Sequence, residues 1–350
     1  MKKITPAQLG LPTTTEMPKR RDWSVGMIGF GGIAAAHARD FADMGLPVAA
    51  FADPDTASAE RAAPFGITKR YEDFRDLIAD DEVNVLDLNT HPTIREAVIL
   101  AACEAGKHII TEKPLTRDPD EGARMVEAAK KAGITFAVHQ NYRWMHMNLM
   151  AHHIVKKGLI GDPYFASIEI FGNQDVGLRD HHFYAVCDDF LTIQWDNHLA
   201  DLLRYWTGRD AVRVMARTTR MKGQNFVSDN LLSVVTDFGD GLTGQVMHSE
   251  LTRSGMTGLQ CRIEGDRGSI RFDFHENLEF ESTELGKDRY TLDISDCSLA
   301  GSWSGSMANV LTAIEQDREP MVSAHDNMTT MRTILAEHAS TLRNGEWVQV

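Results

Sequence analysis

The sequence predicts an α/β chain of two domains, a doubly wound parallel sheet first and a mostly antiparallel sheet after it. Short apolar runs alternate with helical periods from Trp23 to about Asn141, which implies parallel strands joined by crossover helices. Beyond Tyr142, apolar strands follow one another with few helices between them, the pattern of antiparallel pairing. The length of 350 residues, 43% of them hydrophobic, is enough for two separate cores.

Residues 1–22 carry Pro6, Pro12 and Pro18 and show neither strand nor helix period, so they are expected to form an arm that packs on a neighbour or stays loose. Residues 23–144 form the first domain, with strands expected near Ser24 to Phe30, Val48 to Asp53, Val83 to Thr90, His108 to Thr111 and Thr135 to Asn141. Residues 145–350 form the second. A helix near Asn148 to Lys157 leads into strands near Tyr164 to Phe171, Val212 to Thr218, Leu231 to Phe238, Leu242 to Ser249, Leu259 to Glu264 and Ser269 to Phe274. Gly265-Asp266-Arg267-Gly268 reads as a hairpin turn, and helices near Ser306 to Glu315 and Asp326 to Thr341 end the chain.

Composition narrows the function. A formal net charge of -14 opposes sequence-independent nucleic-acid binding, so a small-molecule partner is expected. Cys103, Cys187, Cys261 and Cys297 lie far apart and read as free thiols of a reducing compartment, and no stretch is apolar enough for a membrane span or signal peptide. A cytoplasmic protein is expected.

In "VGMIGFGGIAAAHA", Gly29, Gly31 and Ala34 satisfy G-x-G-x-x-A between an apolar strand and an Ala-rich helix. The first glycine permits a tight turn, the second lets backbone approach a pyrophosphate, and the third small residue packs helix on strand. The turn Gly29, Phe30, Gly31, Gly32, Ile33 is thus the candidate cofactor cradle. Asp53, at the end of the second strand, is placed to bind ribose hydroxyls and repel a 2′-phosphate, which favours NAD. Thr90, His91, Glu112, Lys113, Asn141 and Arg143 follow later strands of this sheet, on the side where such sheets bind ligands.

In "TEKPLT", an apolar strand ends against a proline with Lys113 beside Glu112. A lysine in a partly apolar crevice near a nicotinamide suits polarisation or relay of a hydroxyl proton. In "TIQWDNHLADLLRYWTG", helical spacing puts Gln194, His198, Asp201 and Tyr205 on one stripe, so His198 is the candidate base with Asp201 one turn away. Tyr142, Arg143, Trp144, His181, His182, Gln194 and Asn197 are candidate substrate contacts. The segment "RDHHFYAVCDD" lacks metal-ligand spacing, and no metal is expected.

Taken in order, the motif at Gly29 to Ala34, Asp53, "EAGKHIITEKPLT" from Glu104, "QNYRW" from Gln140 and H-x-x-D at His198 to Asp201 give a chain that resembles the Gfo/Idh/MocA family of NAD(P)-dependent sugar and cyclitol oxidoreductases. The resemblance implies a Rossmann domain, a C-terminal α/β domain with an open sheet used in homo-oligomers, a substrate pocket between them, a catalytic Lys113 and His198, and a cis Lys113-Pro114 bond. Against the family pattern, Gln194 replaces an Asp, Asp196 a Gly, and Arg95 stands where a histidine is common, so Arg95 is a candidate for an acidic substrate or a carboxylate on its own helix. The function expected is NAD-dependent oxidation of a secondary hydroxyl of a sugar, glycoside or cyclitol. The alternatives are an NAD-retaining glycosidase working by oxidation, elimination and re-reduction, and a non-catalytic dinucleotide sensor.

Overall fold

The computed structural model describes residues 1–177 and 186–350, and the chain divides into two compact units, neither contiguous in sequence. One holds Thr14–Trp144 and Leu299–Met331, the other Met1–Thr13, Met145–Ser298 and Arg332–Val350. A single break after residue 144 therefore misses two returns of the chain. Periodicity describes a segment's local conformation and not its destination.

The chain begins with β1 (Lys2–Ile4), which belongs to the second unit. The first unit is built on β2 (Val25–Ile28), β3 (Val48–Ala52), β4 (Arg70–Tyr71), β5 (Val85–Leu88), β6 (His108–Thr111) and β7 (Phe136–Val138). All pair in parallel, in the order β4-β3-β2-β5-β6-β7. In this doubly wound order the direction of growth reverses between β2 and β5, and loops leaving those strands diverge around a crevice. Every residue of β2 and β5 is buried, as expected of strands covered on both faces. The core joins Val25, Met27, Phe30, Phe41 and Phe51 to Met307, Val310 and Leu311 of the Ser302–Glu315 helix. Helix ends obey local chemistry. Asp118 caps Pro119–Ala132 by accepting from the Asp120 amide, and Gly133 ends it in the left-handed conformation.

The second unit carries β8 (Pro163–Phe171), β9 (Arg213–Thr219), β10 (Leu231–Asp237), β11 (Thr243–Ser249), β12 (Gly258–Gly265), β13 (Gly268–Phe272), β14 (Leu278–Ser282), β15 (Arg289–Leu292) and β16 (Val348–Gln349). With β1 they form a ten-stranded sheet ordered β1-β15-β14-β13-β12-β8-β11-β10-β9-β16. Only the β1–β15 and β8–β11 pairs are parallel. Leu232, Val234 and Thr236 of β10 are buried while their neighbours are half-buried, the period-2 signature of a sheet with one packed face. Asp266 and Arg267 form the β12–β13 turn.

Five strands among the described residues escape the apolar reading: the two- and three-residue β1, β4 and β16, and the longer β14 and β15. The outward positions of β14 and β15 hold charges that pair across the sheet, Arg271 with Glu279 and Arg289 with Glu281. The arm is not loose. Its β1 lies parallel to β15 at the sheet edge, and Leu9 and Leu11 are buried. No helix among the described residues is long and apolar enough to cross a membrane.

Candidate active site

The glycine-rich turn follows β2. Gly29 has φ +84°, and a Cβ there would come within 3.0 Å of the Asn89 carbonyl oxygen and the Thr90 methyl, so both conformation and space exclude a side chain. At Gly31 and Gly32 a Cβ would meet nothing within 4 Å, which leaves the backbone open to a ligand. Gly31 begins the Gly32–Asp43 helix without a side-chain cap, and the first turn has no acidic residue. The amide end of that helix therefore suits a pyrophosphate. Asp53 accepts the Phe30 amide at 2.7 Å through one carboxylate oxygen and the Asp55 amide at 2.8 Å through the other. Each oxygen keeps a lone pair for a ribose hydroxyl. Arg61 does reach back to the turn, but its partners are the Phe30 carbonyl at 2.8 Å and Asp55 at 3.0 Å. Ile33 is exposed. These residues fit NAD.

Beside the turn, His91 caps the short Pro92–Ile94 helix by accepting from the Thr93 amide. Arg95 is buried and donates to the Thr90 carbonyl and to the Pro114 carbonyl. It clamps the loops after β5 and β6 together. Within the chain the guanidinium thus meets backbone carbonyls rather than a carboxylate of its own helix. Burial pushes its pKa down to about 10 although Glu112 and Glu121 oppose the shift.

Lys113 lies just past β6, and its bond to Pro114 is cis. Glu112, buried at its side, accepts the Lys113 amide at 3.2 Å through Oε2. Through Oε1 it accepts from His37 Nε2 at 3.0 Å and from the Trp303 indole at 3.4 Å. The other ring nitrogen of His37 donates to Asp87 at 2.9 Å, and Asp87 also accepts from His139 at 3.1 Å and Asn89 at 2.8 Å. Sequence reading missed this chain of His37, Asp87 and His139. The available signal was Asp87 itself, an acid inside the apolar strand "VLDL", where an unpaired charge would be prohibitive. Burial opposes the charge of His37, but Asp87 and Glu112 raise its pKa to about 9. His139 is lowered by burial. His37, Asp87 and His139 have ligand atoms within 4.8 Å of one another. Their ring-to-carboxylate spacings, 2.9 Å for His37 and 3.1 Å for His139, are hydrogen-bond lengths.

After β7, Asn141 donates to Ser302 at 3.3 Å, and Arg143 bonds the Met321 carbonyl and Asp326, the latter at 2.9 Å. Tyr142 is half-buried. Trp144 is 5% exposed and packs in the hydrophobic cluster of this unit.

His198 belongs to the other unit. Its helix, Asp196–Thr207, is preceded by a π-helical turn, Phe190–Trp195. The α-helical spacing assumed between Gln194 and His198 thus crosses a change of pitch, a feature frequent at functional sites. Nor is the helix two-faced: Asp196 through Trp206 are all buried. Trp206 meets Phe272 edge-on at 4.9 Å, and His152 stacks on Tyr205 at 3.9 Å. His198 and Gln194 retain slight exposure, whereas Asn197 has none and Asp201 1%. Asp196 faces Glu337, and burial raises both carboxyls, Glu337 further because Asp196 charges first. His181 and His182 fall outside the described residues. The structure thus gathers Gly29 to Ile33, Asp53, Thr90, His91, Arg95, Glu112, Lys113, Asn141 and Arg143 in one unit and Gln194, Asn197 and His198 in the other.

Comparison with known proteins agrees with both halves. Residues 23–140 match the family model described as "Oxidoreductase family, NAD-binding Rossmann fold", and residues 149–271 match "GFO/IDH/MocA C-terminal domain". The chain is 22% identical to D-apiose dehydrogenase of Paraburkholderia graminis, over 99% of this chain and 94% of that protein. It is 28% identical to levoglucosan dehydrogenase of Pseudarthrobacter phenanthrenivorans, over 74% of this chain and 75% of that one. An Agrobacterium radiobacter oxidoreductase, solved with NAD+, L-tartaric acid and magnesium, superposes with a TM-score of 0.85 at 23% identity, covering 94% of this chain and 98% of that one. With an open glycine turn, an acid at the second strand end and a lysine after β6, this chain belongs to the Gfo/Idh/MocA family of NAD-binding oxidoreductases.

Proposed function

We propose that this NAD-dependent oxidoreductase oxidises a secondary hydroxyl of a sugar, glycoside or cyclitol, with Lys113 polarising the hydroxyl oxygen and His198 taking its proton. NAD, when bound, accepts the hydride. The observation that carries the reading is the placement of Lys113 at the carboxyl end of β6, on the same side of the parallel sheet as the open turn at Gly29 to Gly32. A group there meets whatever lies on the nicotinamide. The sugar class is supported by the related apiose and levoglucosan dehydrogenases. Half-buried Tyr142 supplies a further polar group on this unit. The four cysteines are free, which suits the cytoplasm, and the open ten-stranded sheet suits a homo-oligomer, to be checked by light scattering.

A panel of sugars, 1,6-anhydro sugars and cyclitols, followed by NADH absorbance, tests the function. Lys113→Ala should lower kcat by about 100-fold or more while leaving NAD affinity within a few-fold. Normal turnover in that variant would sink the mechanism.

A further inference from the structure

Both ring nitrogens of His37 face carboxylates, Nδ1 toward Asp87 at 2.9 Å and Nε2 toward Glu112 at 3.0 Å, and all three side chains are buried. An ionised carboxylate only accepts, so a ring bonded to two of them carries a proton on each nitrogen. From β7's side, His139 offers Nε2 to the other Asp87 oxygen and holds Ser306 through Nδ1 at 3.2 Å. From the Ser302–Glu315 helix, the Trp303 ring lies 5.2 Å from that of His37 and its indole reaches the same Glu112 oxygen. Arg95 and Lys113 are the further cations near Glu112. The series runs Asp87 negative, His37 positive, Glu112 negative, and ends at the lysine.

We propose that His37 is a positioning residue for Lys113: bridging Asp87 and Glu112 through both ring nitrogens, it turns the Glu112 carboxylate onto the Lys113 amide and offsets the negative field that this carboxylate exerts on the Lys113 ammonium. Without His37, Glu112 would hold Lys113 more firmly protonated, and a lysine that cannot release its proton is a poor relay. His37 thus adjusts the reactive lysine from two side chains away without touching substrate. The inference rests on the proposed role of Lys113, so its test is made without substrate and stands whatever the sugar proves to be.

The measurement is competitive acetylation of Lys113 in the full-length protein across pH, read by mass spectrometry, in wild type, His37→Gln, Glu112→Gln and the double variant. In His37→Gln the Lys113 labelling rate should fall at least threefold at about pH 8, a rise of ~0.5 in its pKa. In the Glu112→Gln background, His37→Gln should change it by less than 1.5-fold, because the carboxylate through which His37 acts is gone. An unchanged rate in His37→Gln, a rise in rate, or an equal effect with and without Glu112 would overturn the proposal. If His37→Gln fails to fold, the wild-type protein still decides the matter by nitrogen NMR of labelled histidines. A doubly protonated ring among buried histidines at about pH 7 is expected, and a neutral His37 refutes the bridge.

Discussion

Gly305 lies in the Ser302–Glu315 helix where a Cβ would come within 2.4 Å of the Trp144 ring. Alanine there gains ~1 kcal/mol of helix propensity, but overpacking against an indole that is part of the core costs about 1–3 kcal/mol. The clash should win, and Gly305→Ala should unfold at lower denaturant with an unchanged m-value. Such residues explain what the sequence made legible and what it did not. The positions of Gly29, Gly31, Asp53 and Lys113 were legible because they depend on near neighbours: a turn, a strand end, a helix start. The long-range partners of Trp144 and Arg95 were not legible: one packs on a helix starting at residue 302 and the other bonds Pro114. His37 was passed over for the same reason, since Asp87 and Glu112 lie 50 and 75 residues away from it.

At the scale of elements, the His198 helix has one unfavourable contact built into it. Asp196 and Glu337 are both sealed from water, and burial lifts each carboxyl above its ordinary range, with the Asp196 charge lifting Glu337 further. For an acid whose folded pKa exceeds its unfolded one, the native state holds the proton longer, so stability is lost as pH rises from the unfolded value toward the folded one. Glu337→Gln removes that loss. It should stabilise the protein by roughly 1 kcal/mol or more at about pH 8 and by little near pH 4, as read from urea unfolding at the two pH values. A variant less stable than wild type at both would show that the acid's own hydrogen bonds outweigh its burial. Periodicity found this helix and its glycine stop, but it could not find the π turn before it, whose extra residue per turn leaves no mark on the apolar pattern.

At the scale of the whole molecule, the fold class was legible because alternation of strand and helix, and then of strand and strand, reflects sheet type directly. The division into units was not, because Leu299–Met331 joins a sheet that ended at Val138. A fragment spanning residues 14–144 would lack Met307, Val310, Leu311 and Val322 of its core cluster and the Ser306 and Trp303 bonds to the histidine network. Such a fragment should show no cooperative melting transition by circular dichroism, whereas one carrying residues 299–331 on a flexible linker should recover it. This interleaving also has a consequence for synthesis on the ribosome. Residues 14–144 of the cofactor-binding unit emerge well before residues 299–331, so its hydrophobic interior stays open until that later segment has left the exit tunnel. From residue 138 to residue 299 the nascent chain therefore carries every strand of the parallel sheet with part of their core still missing, an interval in which exposed apolar surface favours aggregation over folding.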